Sequence, residues 1–210
     1  DPELTLVAAV DRPGMEDKLA IWNCMVTTDL KKAHTNFPKA VAIDFTAPEN
    51  TVNVAKACAE TGCGAVMGTT GLTAEQQAEL EKAAAKGTLF WAPNMSVGIN
   101  VLLRILPELT RLLGPAYDPE MFEIHHRHKK DAPSGTAIKL GQCLAEAKGW
   151  DYEETKRYCR EGITGERPDE ELGIQTIRGG DVVGEHTVFY FGPGERIEVT
   201  HRAHTRENFA

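Results

Sequence analysis

The sequence predicts an α/β protein: a doubly wound parallel sheet, joined near residue 96 to an α+β domain. Three observations predict it. Short, almost continuously apolar runs with β-branched members alternate with helical patterns as far as Trp91, as strands covered by helices on both faces do. Beyond Asn94 come long amphipathic stretches, and then runs that alternate apolar and polar between Gly-rich turns. The 210 residues are 41% hydrophobic and 26% charged, enough apolar side chain for a core and too much for a disordered chain.

Leu4 to Val10 reads as a buried strand ended by the turn Asp11-Arg12-Pro13-Gly14. Val41 to Phe45 is the second strand; Thr46 and Pro48 then open a helix over Glu49 to Thr61 that stops at Gly62. Ala65 to Met67 is the third strand and leads into Gly68-Thr69-Thr70-Gly71. Thr73 and Gln76 form a capping box for a helix reaching about Lys86. Thr88 to Trp91 is the fourth strand, followed by Ala92-Pro93-Asn94-Met95. Ser96 to Leu113 is a long helix in which Pro107 is expected to place a kink. Met121 to His126 is a strand, and Pro133 to Lys148 a helix starting at Ser134-Gly135-Thr136. Ile174 to Ile177, Val182 to Phe191 and Arg196 to His201 read as antiparallel strands of an open antiparallel or mixed sheet; Glu166 to Glu171 is a charged loop.

Lys plus Arg total 23 against 31 Asp plus Glu, a net charge of -8. That balance argues against general nucleic-acid binding and against an anionic membrane, but leaves room for an anionic small ligand at a locally basic spot. No apolar run is long enough to span a membrane, and no signal-peptide pattern is present. The cysteines number five, with no CxxC pair. This argues against a disulfide framework or a zinc site and fits a reducing cytoplasm; Cys58 and Cys143 are expected as buried small hydrophobes.

Candidate chemistry begins at Asp11, an acid at a strand end, where a dinucleotide-binding fold bonds ribose hydroxyls. Arg12 could meet a 2′-phosphate instead. Plain turn chemistry is the other reading of Asp11 and Arg12. Gly68, Thr69 and Thr70, and Ala92, Pro93, Asn94 and Met95, fall at the carboxyl edge of the predicted sheet, where ligands bind. The densest signal is Glu123 to Ala137, where three of the seven histidines and three cations fall within six positions of an acidic protein. Such a cluster attracts an anion. Directly after it the free N–H groups and hydroxyls of Ser134-Gly135-Thr136 suit a carboxylate or phosphate. Histidine exchanges protons near neutral pH, and Lys129 can donate a proton or hold an anion. The alternatives are an N-cap role for Ser134, a solvated charged face, and a zinc site; the last is disfavoured because no helical i, i+4 His pair or suitably spaced Cys accompanies the histidines.

The run Glu-x-His-His-x-x-Lys-x-Asp-Ala-Pro-Ser-Gly-Thr-Ala over 123–137 resembles the signature of the dihydrodipicolinate reductase family. Ile43-Asp44-Phe45-Thr46-x-Pro48, the Gly68 to Gly71 loop, Asn94-x-Ser96-x-Gly98-x-Asn100, Arg160-Glu161-Gly162-x-Thr164-Gly165-Glu166-Arg167 and Arg178-x-Gly180-Asp181-x-Val183-Gly184-Glu185-His186 are similar to that family too, so the resemblance covers nearly the whole chain. It implies an NADH- or NADPH-dependent reductase that makes tetrahydrodipicolinate from 4-hydroxy-tetrahydrodipicolinate, for diaminopimelate and lysine synthesis. By the same resemblance His125 is the general acid/base and Lys129 the proton donor. His126, Ser134, Gly135 and Thr136 bind the dicarboxylate substrate. Asp11, Arg12, Gly68, Thr69, Thr70 and Ala92 to Met95 bind the nucleotide. A homotetramer formed through the sheet of the second domain is implied as well.

On this reading 1–95 is a Rossmann-like dinucleotide-binding domain, completed by the C-terminal end from about 203, and 96–202 is the substrate-binding and oligomerisation domain. The family's N-terminal glycine-rich unit is expected upstream of Asp1, and further residues beyond Ala210. The stretch from Asp11 to Asp44 looks shortened. As written, the chain is expected to hold a dinucleotide poorly. The competing readings are a different nicotinamide dehydrogenase, which would not need so cationic a segment, and a binding module that kept only the anion site.

Overall fold

A computed structural model describes residues 2–209, and the chain divides after Pro93 into two compact units.

In the first unit the parallel strands fall into two sheets, where the sequence suggests one. β1 (Ala8–Val10) pairs with β2 (Met25–Thr27), and β3 (Val41–Asp44), β4 (Gly64–Met67) and β5 (Leu89–Trp91) form the other sheet. β1 pairs only with β2, and β3, β4 and β5 pair among themselves, so β1 and β3 share no ladder. The stretch from Asp11 to Asp44, which looks shortened in the sequence, holds four elements besides β3. These are α1 (Glu16–Leu19), a 3-10 turn (Ala20–Trp22), β2, and α2 (Leu30–Asn36), whose Asp29 side chain accepts from the backbone N–H groups of Lys31 and Lys32. α3 (Pro48–Thr61) ends on Gly62 in the left-handed region, and the capping box of Thr73 and Gln76 opens α4 (Ala74–Ala84), both as predicted. The core between these helices and β4 is built from Ala55, Cys58, Ala65, Met67, Leu72, Leu80 and Ala83.

The second unit packs α5 (Val97–Leu113) and α6 (Gly135–Lys148) on a five-stranded mixed sheet. Its strands are β6 (Asp118–His125), β7 (Lys156–Arg157, after the short α7, Tyr152–Thr155), β8 (Leu172–Arg178), β9 (Gly184–Gly192) and β10 (Glu195–Ala203), in the order β10-β9-β6-β8-β7. α5 contains Pro107 and still runs from Val97 to Leu113. β8 runs antiparallel to β9, as the alternation suggests, but does not pair with it. It lies parallel to β6, which separates it from β9. The core explains this: Met121 of β6 faces Ile174 on one side and Val188 on the other, and all three pack with Leu102, Leu106, Leu140 and Leu144. The charged loop before β8 is anchored, because Arg160 binds Glu120 and Glu171, and Arg167 binds Asp118 and Glu120. The chain from about 203, expected with the first domain, groups with the second unit, where Arg206 of a terminal 3-10 turn reaches the His126 Nε2 at 3.0 Å.

Candidate active site

Period-two alternation along β6 turns Met121, Glu123 and His125 to the helix-covered side and Glu120, Phe122 and Ile124 to the other. Glu123 and His125, two residues apart on one face, are therefore neighbours. The Nδ1 of His125 meets Glu123 Oε2 at 2.6 Å. Strand register then lines up a polar row, His201 opposite His186, His186 opposite Glu123, and Glu123 opposite Thr176. Arg178, paired in register with His125, grips the Glu123 carboxylate with two nitrogens at 2.6 and 2.8 Å. The Ser134 backbone N–H donates to the same carboxylate at 3.0 Å, and the Thr176 hydroxyl at 3.3 Å. Glu123 is fully buried. Burial pushes its carboxyl up, but the hydrogen bonds from His125, Arg178 and the Ser134 backbone together outweigh it and bring it down to about 2.

Ser134 is the N-cap of α6, its Oγ accepting from Ala137 N, so the capping reading holds. It does a second thing as well. Its hydroxyl meets the His186 Nε2 at 2.9 Å, and the His186 ring stands edge-on to His125 with centroids 5.2 Å apart. Ser96 caps α5 in the same way and faces His201 Nε2 at 3.5 Å. The two helices thus start over the row of histidines. Gly135 is exposed at the first position of α6, and the Thr136 hydroxyl accepts from the Asn94 side chain at 3.0 Å. Lys129 holds Asp131 at 2.9 Å. At Gly184 an added Cβ would lie 3.0 Å from His125 Nε2, so only glycine leaves that ring edge its space. The second unit therefore brings together His125, Lys129, His126, Ser134, Gly135, Thr136 and Asn94. The partners that sequence reasoning did not assign a role are Glu123, Arg178, His186 and His201.

In the first unit, the loops after β1, β4 and β5 lie at strand carboxyl ends. Asp11 and Arg12 are exposed, and the Arg12 N–H donates to Asp11 Oδ1 at 2.7 Å, a turn contact that leaves the second carboxylate oxygen. The Thr69 hydroxyl is turned inward to buried Asp44 at 3.3 Å, and its carbonyl accepts from Trp91 Nε1 at 3.0 Å. Thr70 and Pro93 are exposed, Gly71 has φ 80, and the Ala92 N–H is taken by the Met67 carbonyl. Met95, with Asn94, begins the second unit.

Burial, with the neighbouring His125 ring adding to it, pushes His186 from 6.5 down to about 3. Such a histidine is neutral when folded and protonates on unfolding at pH between those values. The unfolded state binds the extra proton, so stability falls as pH drops from 6.5 toward 3, by at most about 1.4 kcal/mol per pH unit. Glu123 adds a loss of the same sign from its ordinary 4.5 down to about 2. Thermal melts of His186→Asn are expected to show a shallower pH dependence than wild type between about pH 6.5 and 4.5, where His186 alone of the two titrates. Parallel curves would mean that His186 titrates freely.

Residues 1–95 match the family described as "Dihydrodipicolinate reductase, N-terminus" and residues 98–210 "Dihydrodipicolinate reductase, C-terminus". A 4-hydroxy-tetrahydrodipicolinate reductase of Oleidesulfovibrio alaskensis is 59% identical over 210 residues, which is 100% of this chain and 81% of the relative. One from Nitratidesulfovibrio vulgaris Miyazaki F is 57% identical over the same shares of the two chains. Among solved structures, a dipicolinate-bound dihydrodipicolinate reductase from Paenisporosarcina sp. TG-14 is similar at TM-score 0.71 and 25% identity, over 97% of this chain and 80% of that one. With both its halves matched and its relatives this similar throughout, the chain belongs to the dihydrodipicolinate reductase family.

Proposed function

We propose that the chain reduces 4-hydroxy-tetrahydrodipicolinate to tetrahydrodipicolinate with NADH or NADPH, the hydroxyl leaving as water and a hydride and a proton being taken up, in diaminopimelate and lysine synthesis, and that His125 and Lys129 handle the protons. The observation that carries the site assignment is His125, held through Nδ1 by buried Glu123, beside a helix start that offers free N–H groups to an anion. Residues 96–202 bind substrate. The N–H groups of Gly135 and Thr136 and the Thr136 hydroxyl hold one carboxylate, with His126 beside it. The Nε2 of His125 accepts or returns a proton, and Lys129 delivers one to the carbon that has gained electron density. Dipicolinate, named in the Paenisporosarcina structure, is a planar dicarboxylate that fits the same groups.

Residues 1–95 hold the nucleotide, which when bound supplies the hydride. The residues present suit it: an exposed acid for ribose hydroxyls, an arginine beside it, and a glycine loop with φ 80 at Gly71. Thr69, with its hydroxyl on Asp44, serves through its backbone. We assign a homotetramer to the sheet face opposite the helices, where Phe122, Phe189 and Phe191 line an open groove of about 540 Å³. No helix among the described residues is long and apolar enough to cross a membrane; a cytoplasmic enzyme is our reading from the five unpaired cysteines. The test is formation of tetrahydrodipicolinate with each nucleotide. Substrate-dependent oxidation of at least one is expected, and oxidation of neither refutes the assignment.

Nucleotide choice rests on Asp11 and Arg12. The carboxylate accepts ribose hydroxyls and repels a 2′-phosphate, and Arg12 offsets that repulsion by a charge-assisted contact. Such a contact is worth roughly 1.5–3 kcal/mol, about 10- to 100-fold in affinity. Arg12→Ala is expected to raise KM for NADPH by that factor and leave NADH nearly unchanged, and Asp11→Ser to do the reverse. Measured at fixed salt, equal weakening of both nucleotides by Arg12→Ala would make the segment a turn only.

A further inference from the structure

We propose that Glu123, clamped by Arg178, is the positioning residue of this site: it holds His125 as the Nδ1–H tautomer and ties the Lys129 loop and the start of α6 to the same carboxylate. The inference deepens the reductase reading and rests on it. An ionised carboxylate only accepts hydrogen bonds, so every partner of Glu123 must donate. Arg178, the Ser134 N–H and the Thr176 hydroxyl do so. The Nδ1 of His125, at 2.6 Å, must therefore carry a proton, which leaves Nε2 of the neutral ring free to accept one. The Arg178 nitrogen that binds Glu123 at 2.8 Å also donates to the Asp131 carbonyl at 2.8 Å. The Asp131 side chain in turn holds Lys129 Nζ at 2.9 Å. One buried carboxylate is thus linked to both proton-handling side chains and, through the Ser134 N–H, to the anion-binding helix start.

The experiment uses the full chain with 15N-labelled histidine. Wild-type His125 is expected to show protonated Nδ1 and unprotonated Nε2 in its neutral form. In Glu123→Gln, Arg178 claims the amide oxygen and the NH2 group faces His125, which can then accept only through a bare Nδ1. The tautomer is expected to move toward Nε2–H. The variant keeps the imidazole but misplaces its proton, so it loses part of the roughly 10²- to 10⁴-fold that a general acid–base group supplies, a fall in kcat of about 10- to 100-fold. The Kd of pyridine-2,6-dicarboxylate is expected to change far less than kcat. A merely structural Glu123 would lower stability and binding together and leave the tautomer alone. Wild-type His125 in the Nε2–H form, or a folded Glu123→Gln with normal kcat, overturns the proposal. If the variant does not fold, the wild-type spectrum decides. A wild type with the Nδ1–H tautomer but no turnover with either nucleotide overturns the reductase reading instead.

Discussion

Replacing His125 or Lys129 by alanine is expected to lower kcat by about 10² to 10⁴ and to leave nucleotide KM close to normal. His125 is 8% exposed and backed by Glu123, so in the proposed reaction it would move a proton from a fixed place. Truncating it removes the group but leaves Arg178, Thr176 and the Ser134 N–H on the carboxylate, so the surrounding fold keeps its buried charge paired. Lys129 differs: its ammonium sits on Asp131 at the protein surface, and its loss costs no buried partner. Asp131→Asn weakens that tether and keeps the ammonium, so it is expected to cost less than Lys129→Ala. Steady-state kinetics with saturating nucleotide, beside thermal melts of each variant, check this. Near-normal turnover in both alanine variants would remove them from the chemistry, and a matching loss of fold would make the result one of stability.

The candidate site is legible because its residues are contiguous: His125, Lys129 and the Ser134 helix start lie within ten positions, and Ser134 caps α6 as its residue type suggests. The residues behind it are not, because register brings them there. Arg178 is 55 residues from Glu123 in the chain, and His186 is 52 from Ser134. Alternation along β6 does carry one usable signal, since it places Glu123 on the same face as His125. In the fold, alternation tells which face a residue takes but not which strand lies beside it, so the parallel pairing of β8 with β6 could not be read. β2 was missed because three residues show no period, and α2 because it is only seven residues long; its sign in the sequence is the cap Asp29.

Gly135→Val is expected to fold as wild type and to lose most of its affinity for pyridine-2,6-dicarboxylate. A Cβ added at Gly135 meets nothing within 4 Å, and the residue does not have a positive φ. Neither space nor backbone therefore demands glycine in the protein alone, and a defect in this variant reports the ligand. The valine side chain would stand in front of the N–H groups at the start of α6, where an anion must come within hydrogen-bond distance. A charge-assisted hydrogen bond contributes roughly 1.5–3 kcal/mol, so losing even one weakens binding by about 10- to 100-fold. Thr136→Val keeps the shape and removes one hydroxyl, which already accepts from Asn94. Its expected cost is that of an ordinary hydrogen bond, about 0.5–1.5 kcal/mol or roughly two- to tenfold. The order of the two variants is thus the informative quantity. Competitive inhibition by the dicarboxylate, measured for both beside wild type, would place the carboxylate elsewhere if Gly135→Val were inhibited as well as wild type. The same order should appear in KM for the substrate, because the proposed site has both ligands present a carboxylate to the same N–H groups.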